Sequence, residues 1–194
     1  MIPEEIFNKS GGFAHHYPFL YSIVIGMESK NVFEFGTGFS THCILHALEK
    51  TKGSLTSCDI QHYSTNQSVS DYCKANENWT FCHGNSNSIF KDIKHSQYDL
   101  ILHDGSHVGE EVLMDLHNIY PYLKHDGILL IHDTRHPEHG KNIMKAINEF
   151  NNDKASRNLD DLCTLPYGYG LTIFRNNENI ENKINLTWSK VKKR

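Results

Sequence analysis

The 194-residue sequence lacks any hydrophobic run near the roughly 18 apolar residues that a membrane span needs. Its opening stretch, MIPEEIFNKSGG, is acidic and polar, whereas a secretory signal is basic and then apolar. We therefore expect a cytoplasmic protein with no membrane partner. The five cysteines are odd in number and have no CxxC spacing, which favours reduced thiols over disulfides or a structural zinc site.

Positive charge is also scarce. The formal net charge is -4, and the one basic cluster is the closing SKVKKR, so we expect no nucleic-acid partner. Repeats of fixed period and low-complexity segments are absent. With 38% hydrophobic residues, the chain has the size and composition of a single globular domain.

Short β-rich runs alternate with longer stretches of helical spacing. The predicted strands are 31–35, 54–60, 79–82, 98–103 and 127–132. The clearest helix is predicted over 110–123, where apolar residues recur every three or four positions. A second helix, 140–151, precedes LCTLPYGYGLTIFR, two strand-like runs joined by a Gly-Tyr-Gly turn. The fold class predicted is α/β: one doubly wound, Rossmann-like domain with a mostly parallel sheet and an antiparallel C-terminal edge hairpin.

The stretch VFEFGTGFS carries the first functional signal. Gly36 and Gly38 let the loop after the first strand turn sharply and let a ligand touch the backbone, while Ser40 or Thr41 can cap the next helix. Asp59 ends the second strand 21 residues after Gly38, where a carboxylate can accept the hydroxyls of a ribose. The pattern therefore predicts a ligand that carries a ribose.

The same stretch discriminates among nucleotides. Thr41 stands where a dinucleotide-binding GxGxxG would have its third glycine, and the chain has no GK[ST] of a phosphate-binding P-loop. Glu34 would also place a negative charge where a pyrophosphate would lie. A nicotinamide oxidoreductase is thus a poor alternative. Glu34 and Asp59 together favour an adenosine that bears a positive charge, namely S-adenosyl-L-methionine.

Five segments carry a family resemblance: FEFGTGFST, CDI, HGNSNSIF, YDLILHDGSHVGEEVLMDL and LKHDGILLIHDT. In register from Gly12 to Phe174, the chain resembles class I S-adenosylmethionine-dependent methyltransferases. More narrowly, it is similar to the metal-dependent small-molecule group of catechol O-methyltransferases, macrolide-sugar O-methyltransferases and cephalosporin-hydroxylase-like proteins. The cofactor contacts that the resemblance implies are Glu34, Gly36, Thr37, Gly38, Ser40, Thr41, Asp59, Ile60, Asn85, Ser86 and Asp104, with His16 and Tyr17 from HHYPFLY.

The resemblance also implies how the chain is divided. Residues 1–30 would form an N-terminal segment that closes over the cofactor, 31–176 the Rossmann-like methyltransferase domain, and 177–194 a polar C-terminal tail.

A divalent metal is expected beside the cofactor. Asp104 and Asp133 end neighbouring predicted strands, and two such carboxylates suit Mg²⁺ or Mn²⁺ with open positions for a substrate hydroxyl. His132, where many relatives carry an acid, is a third candidate ligand that shifts the preference toward Mn²⁺, Fe²⁺ or Zn²⁺. His107 matches the base position of the sugar-methylating relatives. We therefore expect His107, with Asp104, to be catalytic.

The expected function is metal-assisted O-methylation of a hydroxyl on a small molecule, a sugar or a phenol. Two alternatives stay open: a hydroxylase-like metalloprotein of the same fold, and a non-catalytic nucleotide-binding or scaffold protein. A second subunit that completes the acceptor pocket, and hence a homo-oligomer, is also open.

Overall fold

The computed structural model describes residues 4, 11–90, 97–152 and 159–177. Within these ranges the chain forms one seven-stranded sheet. The strands are β1 (Asn31–Phe35), β2 (Ser54–Asp59), β3 (Trp79–His83), β4 (Tyr98–His103), β5 (Leu123–His132), β6 (Leu159–Leu165) and β7 (Leu171–Asn176). The α-helices in the same ranges are α1 (Tyr17–Gly26), α2 (Phe39–Thr51), α3 (Asp71–Lys74), α4 (Ser86–Ile89), α5 (Gly109–Ile119) and α6 (Gly140–Asn152).

The sheet order is β3-β2-β1-β4-β5-β7-β6. Strands β1 to β5 are parallel, β7 pairs antiparallel with β5, and β6 pairs antiparallel with β7. The predicted doubly wound sheet with an antiparallel C-terminal edge hairpin is thus confirmed. Strand order reverses between β1 and β4, so a cleft is expected outside their carboxyl ends.

Hydrophobic clusters cover both faces of the sheet. Helices α1 and α2 pack on one face through residues such as Leu20 and Leu45, and α5 and α6 pack on the other through Leu116 and Ile147. Each of these side chains is at most 2% exposed, and burying one such side chain stabilises the fold by about 1.5–3 kcal/mol. The strand ends that carry polar residues are therefore held by a packed core.

Among the elements predicted with bounds, two boundaries differ from the structure by more than one residue. The helix predicted over 110–123 ends at Ile119, and a 3₁₀ turn, Tyr120–Tyr122, follows. Pro121 explains this, because proline has no N–H to donate within a helix. Strand β5 begins at Leu123 rather than at 127, because Leu123 already pairs with Tyr98; the register then shifts, at a bulge that contains Asp126 (φ 61°), before Ile128 pairs with Leu100.

Nine residues of the predicted N-terminal segment, 1–3 and 5–10, and nearly all of the predicted polar tail, 178–194, lie outside the described residues. The division into 1–30, 31–176 and 177–194 stays a prediction. No helix in the described part of the chain is long and apolar enough to cross a membrane.

Candidate active site

The loop after β1 lies directly against the end of β4. Gly36 has a φ of 82°, and a Cβ placed there would lie 2.4 Å from the backbone oxygen of Asp104. A side chain would therefore both strain the backbone and clash with it, so this position needs glycine. The close approach brings the glycine loop and Asp104 to one point.

Asp59 anchors the same loop from β2. Its Oδ2 accepts hydrogen bonds from the backbone N–H and the hydroxyl of Thr37, at 2.8 and 2.7 Å. Its Oδ1 accepts one from the backbone N–H of Gln61 at 2.8 Å. A carboxylate offers about four lone-pair sites, so Asp59 can still accept from a ligand. Asp59 is thus held rigidly and keeps capacity for ribose hydroxyls.

A cleft of about 400 Å³ opens outside the carboxyl ends of β1 to β4. A smaller cavity of about 150 Å³ adjoins it, since both are lined by Gly36, Thr37, Asn66 and Asp104. The predicted cofactor residues that line one or both are Gly36, Thr37, Gly38, Ser40, Asp59, Ile60, Asn85, Ser86, Asp104 and Tyr17. A volume near 400 Å³ falls in the usual range for a small-molecule site.

Glu34 lies beneath the loop and lines neither cavity. It is fully buried, and its carboxylate accepts hydrogen bonds from the hydroxyls of Ser40 (2.5 Å), Thr41 (2.8 Å) and Ser57 (2.8 Å). Burial raises its pKa to about 7, although the three hydroxyl bonds oppose that shift. In this structure Glu34 therefore organises the loop from below, whereas the sequence suggested a direct contact with the ligand.

Ser40 and Thr41 are consequently not free helix caps. The N-cap of α2 is Gly38, whose backbone N–H donates to Thr41 Oγ1 at 3.0 Å. Thr41 in turn donates to Glu34, and Trp79 Nε1 donates to Ser57 Oγ at 3.0 Å. One network therefore links β1, β2, β3 and the start of α2.

The two cofactor residues predicted in the N-terminal segment, Tyr17 and His16, occupy different environments. Tyr17, at the start of α1, is buried and lines the smaller cavity. His16 is 1% exposed and lines neither cavity; its ring instead packs edge-on against the ring of His132, with centroids 5.4 Å apart. His16 thus supports His132 by packing.

Asp104, His107 and Asp133 form a cluster at the ends of β4 and β5. One ligand atom from each lies within 4.8 Å of the others. His107 Nε2 is 2.5 Å from Asp133 Oδ2. The predicted convergence of Asp104 and Asp133 is therefore present, and the sequence-predicted base His107 belongs to the same group.

His132 was predicted to be a metal ligand, and in the structure its ring lies against the carboxylates of Asp104 and Asp133. Its Nε2 donates to the carbonyl of Gly168 at 2.8 Å, and its Nδ1 lies 2.9 Å from Asp104 Oδ1 and 3.2 Å from Asp133 Oδ1. With both nitrogens facing acceptors, the imidazole carries two protons. Burial alone would lower its pKa, but the two carboxylates outweigh burial and raise it to about 10.

Electrostatic coupling reaches the other members of the cluster. The bond to Asp133 raises the pKa of His107, and burial only partly opposes this. Burial would raise the pKa of Asp133, but His107 and His132 hold it well below its usual range. The ionised carboxylates are thus balanced by imidazolium charge at this end of the sheet.

Asp133 carries two features typical of a functional position. Its φ is 58°, an uncommon conformation for a residue with a side chain. Its Oδ1 is buried and accepts no hydrogen bond within the described part of the chain, although Nδ1 of His132 lies 3.2 Å from it. A buried carboxylate oxygen that accepts no hydrogen bond can take a further ligand, so the donor set fits a divalent cation.

Three supporting residues were not predicted from the sequence. Asn66 lines both cavities and donates to the backbone oxygen of Thr37 at 2.8 Å. Ser57 holds Glu34, and Asp115 lies under the far end of the cleft. Ser57 sits two residues before Asp59 on β2, so only the sheet register with β1 could have pointed to it. Asn66 and Asp115 had no sequence signal.

The family model of the methyltransferase domain matches residues 33–134, just over half of the chain. This chain belongs to that methyltransferase family. The match spans β1 to the end of β5 and so includes the glycine loop, Asp59 and the acidic cluster. The resemblance to class I methyltransferases seen in the sequence is confirmed at this level.

Individual relatives are distant. The chain is 24% identical over 181 residues to the uncharacterized protein y4gI of Sinorhizobium fredii, covering 86% of this chain and 19% of that protein. The chain thus spans about a fifth of the length of the curated relative it matches.

Solved structures share the fold. The SAH-bound methyltransferase PaMTH1 of Podospora anserina superposes with a TM-score of 0.71 at 16% identity, covering 91% of this chain and 82% of that one. The methyltransferase MycE of the mycinamycin biosynthetic pathway, in complex with Mg and SAH, gives 0.55 at 16% identity, covering 86% of this chain and 50% of that one.

Proposed function

We propose that this protein is an S-adenosylmethionine-dependent methyltransferase that methylates a hydroxyl group of a small molecule with the help of a divalent cation. The observation that carries the proposal is the position of Asp104. Asp104 lines the cleft that Asp59 and the glycine loop border, and its carboxylate belongs to the cluster with Asp133. A cofactor in the cleft and a cation in the cluster would therefore meet at one carboxylate.

The cofactor half of the proposal rests on the cleft. Asp59 would accept the ribose hydroxyls, and the bare backbone at Gly36 would lie against the methionine portion. Tyr17 would close the smaller cavity on that side. Bound there, S-adenosylmethionine supplies a methyl group on a positively charged sulfur. The carboxylate of Asp104, which lines both cavities, favours such a cation. The SAH bound to PaMTH1 and MycE is consistent with this assignment.

The metal half rests on the cluster. Asp104 and Asp133 would hold the ion. Nδ1 of His132 could become a further metal ligand once it has lost its proton. The bond from its Nε2 to Gly168 already fixes the ring in the orientation that this requires. When bound, Mg²⁺ or Mn²⁺ lowers the pKa of a hydroxyl group beside it. The Mg in the MycE complex agrees with this choice.

His107 would act as general base. Asp133 holds its Nε2, which leaves Nδ1 as the nitrogen that can accept a proton from the acceptor hydroxyl. Its side chain is 40% exposed, so an acceptor can reach it. The fixed side chains then contribute mainly orientation and charge, as expected for an in-line displacement.

The acceptor side is open and aromatic. The rings of His107 and His139 stack at 5.0 Å, those of His139 and His136 at 4.7 Å, and Tyr169 meets His136 edge-on at 4.4 Å. Flat rings and polar edges suit a hydroxylated sugar or phenol.

Transfer of a labelled methyl group tests the proposal. Purified protein is incubated with methyl-labelled S-adenosylmethionine, Mg²⁺ or Mn²⁺, and a panel of catechols and sugars. The proposal expects labelled product from at least one acceptor, lost on addition of chelator. Labelled product that persists in chelator would reject the metal role, and failure of the protein to bind the cofactor would reject the proposal as a whole.

A further inference from the structure

Three hydrogen-bonded side chains lie under the far end of the cleft. Asp115, from α5, accepts a hydrogen bond from the hydroxyl of Ser86 at one carboxylate oxygen. Its other oxygen lies 3.1 Å from Nε2 of His103, the last residue of β4. Asp115 and His103 are each 2% exposed, whereas Ser86 and Asp115 both reach the cleft lining.

The direction of these bonds follows from chemistry. A carboxylate has only acceptor sites, so both Ser86 and His103 must donate to Asp115. A hydroxyl has one proton, and Ser86 commits it to Asp115. The Ser86 oxygen can therefore only accept a further hydrogen bond. Because Asp115 is buried, water has little access to replace this bond.

The sheet order tells which part of a ligand would meet Ser86. The strands that border the cleft run β3-β2-β1-β4, and Asp59 ends β2 while Asp104 follows β4. If the ribose lies at Asp59 and the methyl group points toward Asp104, the base must extend the other way, toward Gly84–Ser86 after β3. This step rests on the function proposed above.

We propose that Asp115 is a specificity-determining residue that acts through Ser86: it fixes the serine oxygen as an acceptor for the exocyclic amino group of the base. A 6-amino purine presents a donor at that point and is bound. A 6-oxo purine presents an acceptor, which faces the serine oxygen and leaves both groups without a proton between them. Asp115 is thus a positioning residue for the choice of adenine.

The test compares two ligands by calorimetry: S-adenosylhomocysteine and its deaminated counterpart, S-inosylhomocysteine. The native protein is expected to bind the adenosyl compound at least about tenfold more tightly. In Asp115→Leu the Ser86 hydroxyl is released and can donate, so affinity for the inosyl compound should rise and the ratio should fall to about threefold or less. A rise in affinity is not what a merely damaged cleft would give.

Two further variants complete the design. Ser86→Ala removes the acceptor, so the preference should disappear through loss of adenosyl binding alone. Glu110→Gln is the control, because Glu110 is an exposed carboxylate in the first turn of α5 and lines neither cavity. It should keep the native ratio.

A folded Asp115→Leu protein with the native ratio would overturn the inference. If that variant does not fold, Ser86→Ala decides, and an unchanged ratio there overturns the inference equally. A native protein that binds both compounds alike refutes the role of Asp115 but not the proposed function. A native protein that binds neither compound refutes the proposed function.

Discussion

The two halves of the candidate active site satisfy their charges in different ways. On the side of β1 and β2, Glu34 and Asp59 each accept three hydrogen bonds from the protein itself. On the side of β4 and β5, Asp133 has a buried oxygen without a hydrogen bond and a backbone of positive φ. The carboxylates of the first half are satisfied by the protein, whereas the second half keeps a buried acceptor for the cation proposed above. The comparison suggests that one half binds and the other half takes part in the chemistry.

Removing a charge from the proposed metal site should have the largest effect on the rate of methyl transfer. Asp133→Asn deletes a proposed ligand and the partner of His107, so methyl transfer should fall at least about a hundredfold. Affinity for S-adenosylhomocysteine should change less than about twofold, because Asp133 lines neither cavity. The measurements are initial rates and calorimetric titration.

The matched variant His107→Gln tests whether His107 is the general base or a metal ligand. If His107 is the base, transfer falls about as far as in Asp133→Asn, but affinity for Mn²⁺, followed by the paramagnetic resonance of the free ion, stays within about threefold. Loss of Mn²⁺ affinity in both variants would instead make His107 a ligand and leave the base unassigned.

On the cofactor side, Glu34 should make stability depend on pH. Its pKa is raised from 4.5 to about 7 by burial, so between these values the folded state binds a proton that the unfolded state has released. Stability therefore falls as pH rises through this window, by about 3 kcal/mol at most. Glu34→Gln lacks this component, so its stability relative to the native protein should grow from pH 4.5 to 7 in denaturant titrations. If the difference in stability between the two proteins did not change with pH, the pKa of Glu34 would not be raised by burial as described here.

Substitution of Asp59 should lower the affinity for the cofactor but not the affinity for the metal ion. Asp59→Asn removes a charged acceptor for ribose hydroxyls, so affinity for S-adenosylhomocysteine should fall about thirtyfold, or ~2 kcal/mol. Mn²⁺ affinity should be unchanged. The control is Asp71→Asn, a fully exposed carboxylate at the start of α3 outside both cavities. Equal losses in the two variants would remove Asp59 from the site.

The smallest functional effect is expected at the opposite end of the sheet. Asp99 accepts from the backbone N–H groups of Lys30 and Asn31, both at 2.8 Å, and from Lys124 Nζ at 2.6 Å. Asp99→Asn should cost about 1–2 kcal/mol of stability in denaturant titrations. Binding and transfer should remain native below the unfolding transition, and a specific loss of either would mean that the two ends of β4 are coupled.

The sequence predicted the strand ends well because polar residues there interrupt apolar, β-rich runs. Asp59, Asp104 and Asp133 could be placed at one edge of the sheet because parallel strands present their carboxyl ends together. Gly36 could be identified because only a glycine permits the turn and the close approach at that point.

What the sequence could not supply was the direction of individual side chains. Glu34 was predicted to contact the ligand. In the structure, the register of β1 and β2 places Ser57 beside Glu34, and the hydroxyls of Ser57, Ser40 and Thr41 enclose its carboxylate. His132 could be assigned to the cluster but not as a proton donor, since its orientation depends on Gly168, 36 residues further on. The contact with Gly168 forms only when the edge hairpin of β6 and β7 folds back against β5.

The central claim is that one carboxylate, Asp104, joins a cofactor cleft to a cation site. The most direct test is a crystal structure of the protein grown with S-adenosylhomocysteine and Mn²⁺, with anomalous scattering measured at the manganese edge. The account expects the nucleoside along Asp59 with its sulfur toward Asp104, and an anomalous peak between Asp104 and Asp133. A peak elsewhere, or a ligand outside the cleft, would contradict it.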